Sequence, residues 1–129
     1  MKKYSIALIL ILFFPCFALG ASVNLSWNAP VFSCDGSTLD DLSGYVIMWG
    51  VNPGGPYPNL HNVDDPTATS TTVNVGSVEN VTLYFVSVSV DSSGNRSDDV
   101  GGCGPSNETS VSFGAVPPSP PSALSGSPM

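Results

Sequence analysis

Basic charge is scarce in this chain, with three Lys and Arg residues against ten Asp and Glu, a formal net charge of −7, and a single histidine. Phosphate backbones are bound by clustered Lys and Arg, so nucleic acid is excluded as a partner and an anionic membrane surface is disfavoured. No group of His and Cys at ligand spacing occurs, which removes zinc-type sites. No G-x-S-x-G surrounds any serine, and His61 sits in the polar run Asn59-Leu60-His61-Asn62, so it reads as an exposed residue on an edge strand rather than a catalytic base. The chain also lacks any segment of helical period and any apolar run of the ~20 residues a membrane helix needs.

What the N-terminus does have is Lys2 and Lys3 followed by an apolar run from Ile6 to Phe14, then Ala18-Leu19-Gly20 with small residues where signal peptidase reads. The expectation is a leader over residues 1–20 that is removed, leaving no membrane span. Cys16 follows bulky Phe13-Phe14-Pro15, which argues against lipid attachment. Cleavage would leave about 109 residues, enough for one domain, with ten acidic residues against Arg96 alone and a formal charge of about −9. It would also leave two of three cysteines, Cys34 and Cys103, an even number in an oxidising compartment, so one disulfide is expected. The lysine-led leader points to a secreted bacterial protein, periplasmic or extracellular.

Strand-like alternation begins at Val23-Asn24-Leu25-Ser26-Trp27 and returns at Tyr45-Val46-Ile47-Met48-Trp49. A turn at Asn52-Pro53-Gly54-Gly55-Pro56 separates that second strand from a short edge strand within Tyr57 to Val63. Ser70 to Val75 alternates again. The clearest strand follows, with Tyr84, Val86, Val88 and Val90 on one face and Phe85, Ser87 and Ser89 on the other. Asp91 to Gly104 reads as a long loop and Ser106 to Phe113 as a last strand. From residue 115 to 129 the chain is a Pro/Ser/Gly tail, a disordered spacer in preference to a ligand for an aromatic groove. Short strands separated by turns, with no helices between, make the fold all-β, an antiparallel sandwich or barrel over residues 21–114.

Three motifs in order, Leu25-Ser26-Trp27-Asn28-Ala29-Pro30, Leu42-Ser43-Gly44-Tyr45 with Trp49-Gly50, and Tyr84-Phe85-Val86-Ser87-Val88-Ser89-Val90-Asp91-Ser92-Ser93-Gly94-Asn95-Arg96-Ser97, make the chain similar to the fibronectin type III family. The resemblance runs from about Val23 to Phe113. It implies an immunoglobulin-like antiparallel β-sandwich with two structural aromatics. Trp27 would be buried between the sheets, and Tyr84 would stand at a corner with its hydroxyl bonded to backbone near Val78. It also implies that the loops holding Cys34 and Cys103 lie side by side at one pole, where the two would pair. The family's first strand is short or missing, because only Ala21 and Ser22 precede Val23. The strand from Val23 to Trp27 would then be a sheet edge open to a strand-pairing partner or to self-association.

The same topology gathers Asp35, Asp40, Asp41, Asp64, Asp65, Asp98 and Asp99 at that pole. These are candidate calcium ligands, set against the plainer reading of a solvated acidic cap, since no spacing here matches a known calcium loop. No cofactor other than calcium is suggested. The doublets Asp40-Asp41, Asp64-Asp65 and Asp98-Asp99 lie in loops, which does not favour a glycosidase pair. Trp49 and Tyr57 are either an aromatic platform or, for Trp49, core; core is favoured. The function expected is a non-catalytic module for binding a protein or a cell surface, an adhesion role, with a structural subunit of a surface layer or filament as the alternative.

Overall fold

The computed structural model describes residues 20–115 and, beyond them, 118, 120, 122 and 125–128. The expected leader, up to residue 19, and positions 116, 117, 119, 121, 123, 124 and 129 of the expected tail lie outside the described residues. Six strands follow one another without an intervening helix: β1 Ala21–Ser26, β2 Leu42–Gly50, β3 Asn59–Val63, β4 Ser70–Gly76, β5 Val81–Asp91 and β6 Thr109–Phe113. They form two antiparallel sheets, one of β1 and β4 and one in the order β3-β2-β5-β6.

The alternation in the sequence decides which side chains meet between the sheets. Val23 and Leu25 of β1 and Val73 and Val75 of β4 face Ile47 of β2 and Leu83 and Phe85 of β5, and these with Trp27, Trp49 and Val63 form one apolar cluster. Each fully buried aliphatic or aromatic side chain of this kind contributes roughly 1.5–3 kcal/mol through water exclusion. Trp49 stacks on Phe85 at 5.9 Å between ring centroids, which places it in the core and not on a surface platform. Trp27 is half-buried, tilted against the ring of Tyr45 at 4.9 Å.

The opposite face of the larger sheet is buried too. Val46, Val86 and Val88 point away from the β1–β4 sheet, yet Val88 is 0% and Val86 3% exposed. Two covers account for this. The β2–β3 loop folds back over the sheet at Gly50, where a Cβ would meet the Pro56 carbonyl oxygen at 2.6 Å, so no side chain fits there. Gly54 N–H (2.7 Å) and the Tyr57 hydroxyl both donate to Glu108, just before β6, and tie that loop across β5. Arg96 supplies the other cover: it pairs with Val90 at an isolated bridge, and its guanidinium reaches the Met48 sulfur at 3.3 Å. Met48 pairs with Val86 and Val46 with Val88, so the path of Arg96 from the Val90 level to Met48 crosses Val88.

Two expectations are corrected here. Tyr84 pairs with Gly50 and lies on this outer face, half-buried, and no hydrogen bond joins its hydroxyl to backbone near Val78. The residues of β5 that enter the core at that level are its neighbours Leu83 and Phe85, because successive side chains of a strand point to opposite faces. His61 is not an exposed edge residue. It faces inward from β3 and shares a hydrogen bond of 3.2 Å with the Thr71 hydroxyl of β4, which joins the two sheets at their margin.

Candidate functional site

The loops β1–β2, β3–β4 and β5–β6 all emerge from one end of the sandwich, since β1 and β5 end there and β2, β4 and β6 start from it. The first and last are joined by the Cys34–Cys103 disulfide, with 5.4 Å between Cα atoms, inside the usual range for such bridges. The Cys103 N–H also donates to the Cys34 sulfur. Within the β1–β2 loop, Phe32 bridges Thr38 and the Leu39 N–H donates to the Val31 carbonyl, a small hairpin whose apolar members Val31 and Phe32 project outward, each 63% exposed. Val100 of the β5–β6 loop is fully exposed at the same end. Below these tips lies a hollow of about 360 Å³ lined by Phe32, Leu39, Asp41, Asp91, Asp99 and the disulfide, among others.

Four of the seven acidic residues expected as calcium ligands, Asp35, Asp65, Asp98 and Asp99, are engaged within their own loops. Asp35 accepts from the N–H and hydroxyl of Ser37, and Asp65 likewise from Thr67. Asp98 pairs with Arg96 at 2.8 Å, and Asp99 accepts from the Arg96 N–H. The structure brings no three of these carboxylates together: among the described residues no group of three or more His, Cys, Asp or Glu is arranged to hold a metal. Asp91, outside the expected set, is the most heavily used. Its carboxylate accepts from the N–H groups of Ser93 and Asn95 and from the Asn95 amide, closing the Asp91-Ser92-Ser93-Gly94-Asn95 turn in which Gly94 has φ 85°.

These hydrogen bonds favour the ionised carboxylates. Those from Asn95 hold Asp91 below its ordinary value, as those from Ser37 and Thr67 do for Asp35 and Asp65. A depressed carboxylate contributes stability that is complete above its unfolded value, about 4, and lost as pH falls through the folded one. Thermal stability is therefore expected to be flat from pH 5 to 7 and to fall below about pH 4. In Asp91→Asn the fall is shallower, and a melting series with an identical slope in both proteins would count against this role. Tyr57 shifts the other way, raised by its hydrogen bond to Glu108, so that contact is retained at neutral pH and lost as pH rises beyond the ordinary phenol value.

A second concavity adjoins the first and shares Pro30, Ser89, Ser97 and Cys103 with it. β1 pairs with β4 alone, and beside its free edge a groove of about 540 Å³ runs between the sheets to the 103–107 segment, with Leu25, Trp27, Tyr45, Ile47 and Phe85 on its walls. Tyr45 is 3% exposed, and neither its hydroxyl nor the buried Trp27 Nε1–H has a hydrogen-bond partner. A buried polar group left unpartnered costs about 1–3 kcal/mol, so two adjoining ones in one groove are an unusual expense of the free domain. Sequence reasoning placed Tyr45 on a strand and Trp27 between sheets without foreseeing that both would lack partners, because pairing of a side-chain hydroxyl depends on loops far away in sequence.

No protein-family model matches this chain, and no curated protein matches it. What the fold and the two concavities define is a class: an all-β, two-sheet antiparallel sandwich with a disulfide-stapled loop pole and, in its two-stranded sheet, a strand β1 whose outer edge is unpaired among the described residues. Among the described residues no helix is long and apolar enough to cross a membrane.

Proposed function

We propose that this is a non-catalytic extracellular binding module of the fibronectin type III kind, lacking that family's first strand, which engages a protein or cell-surface ligand through its stapled pole. The observation that carries the reading is the placement of three exposed apolar side chains, Val31, Phe32 and Val100, on loops cross-linked by Cys34–Cys103. Exposed apolar tips cost solubility unless a partner covers them, and a cross-link lowers the ordering cost of covering them. The sheet order, two strands against β3-β2-β5-β6, supports the family assignment, as it is the arrangement left when a seven-stranded sandwich loses its first strand. A disulfide and a lysine-led N-terminal segment support export.

The ligand is expected to be basic around an apolar centre, because the pole carries Asp41, Asp91 and Asp99 around the hollow. The test is retention of the protein on its native cell surface, compared with the Phe32→Ser/Val100→Ser variant. Loss of about tenfold in the variant, and weakening of wild-type retention as salt rises, is the expected result. Equal retention of both proteins would refute the pole as the contact. Elution as a large assembly on size-exclusion chromatography would instead favour a structural subunit.

A further inference from the structure

We infer that the groove beside β1 is a strand-acceptor site, which takes an extended segment of a different protein with apolar residues at alternate positions, small polar residues between them and basic flanks. The free edge is oriented for it. Trp27 N–H donates to the Thr69 carbonyl at 2.8 Å, and Val23 and Leu25 lie opposite Val73 and Thr71. Antiparallel alternation then commits the backbone of Val23, Leu25 and Trp27 to β4 and turns the N–H and C=O groups of Asn24 and Ser26 outward. No described residue hydrogen-bonds to that edge, and β1 carries none of the Pro, Lys or charged residues that normally protect one.

The groove then specifies the side chains of the incoming strand. Its walls are uncharged throughout, in a chain with ten acidic residues, and its floor is the aromatic and aliphatic surface of Trp27, Tyr45, Ile47 and Phe85. Every second residue of an added strand would enter this space and complete the core from the open side. The residues between would join the outer face of the smaller sheet, where Ser22, Asn24, Thr72 and Asn74 are polar and uncharged. The Trp27 Nε1–H and Tyr45 hydroxyl, both buried and without partners, are two donors that an acceptor reaching them from the groove would satisfy.

The occupant is a different protein for two reasons. A second copy brings the same excess of acid, −7 against −7, with no compensating basic patch. The chain's own C-terminal segment has Pro117, Pro118, Pro120 and Pro121, each without a backbone donor for a ladder. The chain's excess of acid, with Glu108 next in sequence to Asn107 of the far wall, favours Lys or Arg at the ends of the incoming strand.

The probe is the synthetic peptide acetyl-Lys-Val-Thr-Val-Ser-Val-Thr-Lys-amide, set against a control of the same composition with its three valines contiguous. The alternating peptide is expected to bind with Kd below about 100 μM, to slow amide exchange at Asn24 and Ser26, and to shift the fluorescence of Trp27. Asn24→Pro and Ser26→Pro each remove an edge donor without touching the β4 ladder and are expected to weaken binding at least about tenfold. Should both proline variants fail to fold, Tyr45→Phe decides: it deletes an unpartnered hydroxyl, so it is expected to raise the melting temperature of the free domain while weakening peptide binding about threefold or more. Binding equal for the two peptides, or unchanged in all three variants, overturns the inference. Protection of Asn24 and Ser26 in the free protein, or a dimer by sedimentation that these prolines abolish, overturns the assignment of the edge to a different protein.

Discussion

Replacement of both bridged cysteines, Cys34→Ala with Cys103→Ala, is expected to lower the unfolding free energy by about 4 kcal/mol, the loop-closure value for a cross-link of this span. The two residues are 69 positions apart, so the bridge closes most of the domain, from the first interstrand loop to the last, and restricts the unfolded chain over all of β2 to β5. A loss of that size in a domain of about 95 residues corresponds to a fall in melting temperature on the order of 20 °C. Urea unfolding should show a lower midpoint together with a steeper slope, because the uncrosslinked chain exposes more surface on unfolding. The pole is also expected to loosen, although Leu39 N–H to Val31, Ser92 N–H to Asp41 and Gly104 N–H to Ser97 still tie it. A loss below about 1 kcal/mol would show that the bond from Ser92 to Asp41, which crosses from one loop to the other, and not the bridge, holds the two loops together.

The bridge was legible from cysteine parity and from the resemblance that put both loops at one pole; the rest of the pole was not. Loop backbones settle their own donors first, and Asp35, Asp65 and Asp91 each lie two residues before a partner N–H, a spacing that favours a local turn over a shared cation. A count of acids at one pole cannot see that competition. The strands were readable because alternation is local: β4 and β5 begin and end within a few residues of the sequence reading, whereas the last strand starts at Thr109 rather than Ser106. The 97–106 segment still follows β5, with Ser106 N–H donating to the Ser87 carbonyl and Ser97 N–H to that of Ser89, but it does so without the regular register of a strand.

That β1 would lie at a sheet edge was legible in the sequence, and among the described residues β4 is its one neighbour. The consequence for the interior was not. Beside the edge of β1 the space between the sheets is open, and the unpartnered donors on Trp27 and Tyr45 belong to residues that line it. Likewise, nothing in the local pattern foretold that the outer face of β5 would be covered. That depends on a loop returning across the sheet to Glu108 and on one arginine lying over Val88, contacts between residues about fifty positions apart in sequence.

The strand β5 also supplies the sharpest contrast in expected stability. Phe85→Ala should cost about 4 kcal/mol, at the upper end of what core truncations produce, whereas Tyr84→Ala should cost about 1–2 kcal/mol. The two are adjacent aromatics on one strand, so propensity and backbone effects are nearly common to both, and the difference isolates where each ring goes. Phe85 is 1% exposed, stacks on Trp49 and touches the cluster formed by Val23, Ile47, Val73 and Leu83. Its removal leaves a cavity bounded by both sheets, which cannot close without moving one against the other. Tyr84 is half-buried opposite Gly50, under the edge of the β2–β3 loop, and that loop can settle onto the vacated surface. The family resemblance points to the reverse order, with Tyr84 as the corner aromatic whose loss would be the severe one. Chemical denaturation of the two variants separates the alternatives directly: a larger loss for Tyr84→Ala would mean that β5 presents the opposite face to the core, and with it that the groove beside β1 is floored by different residues.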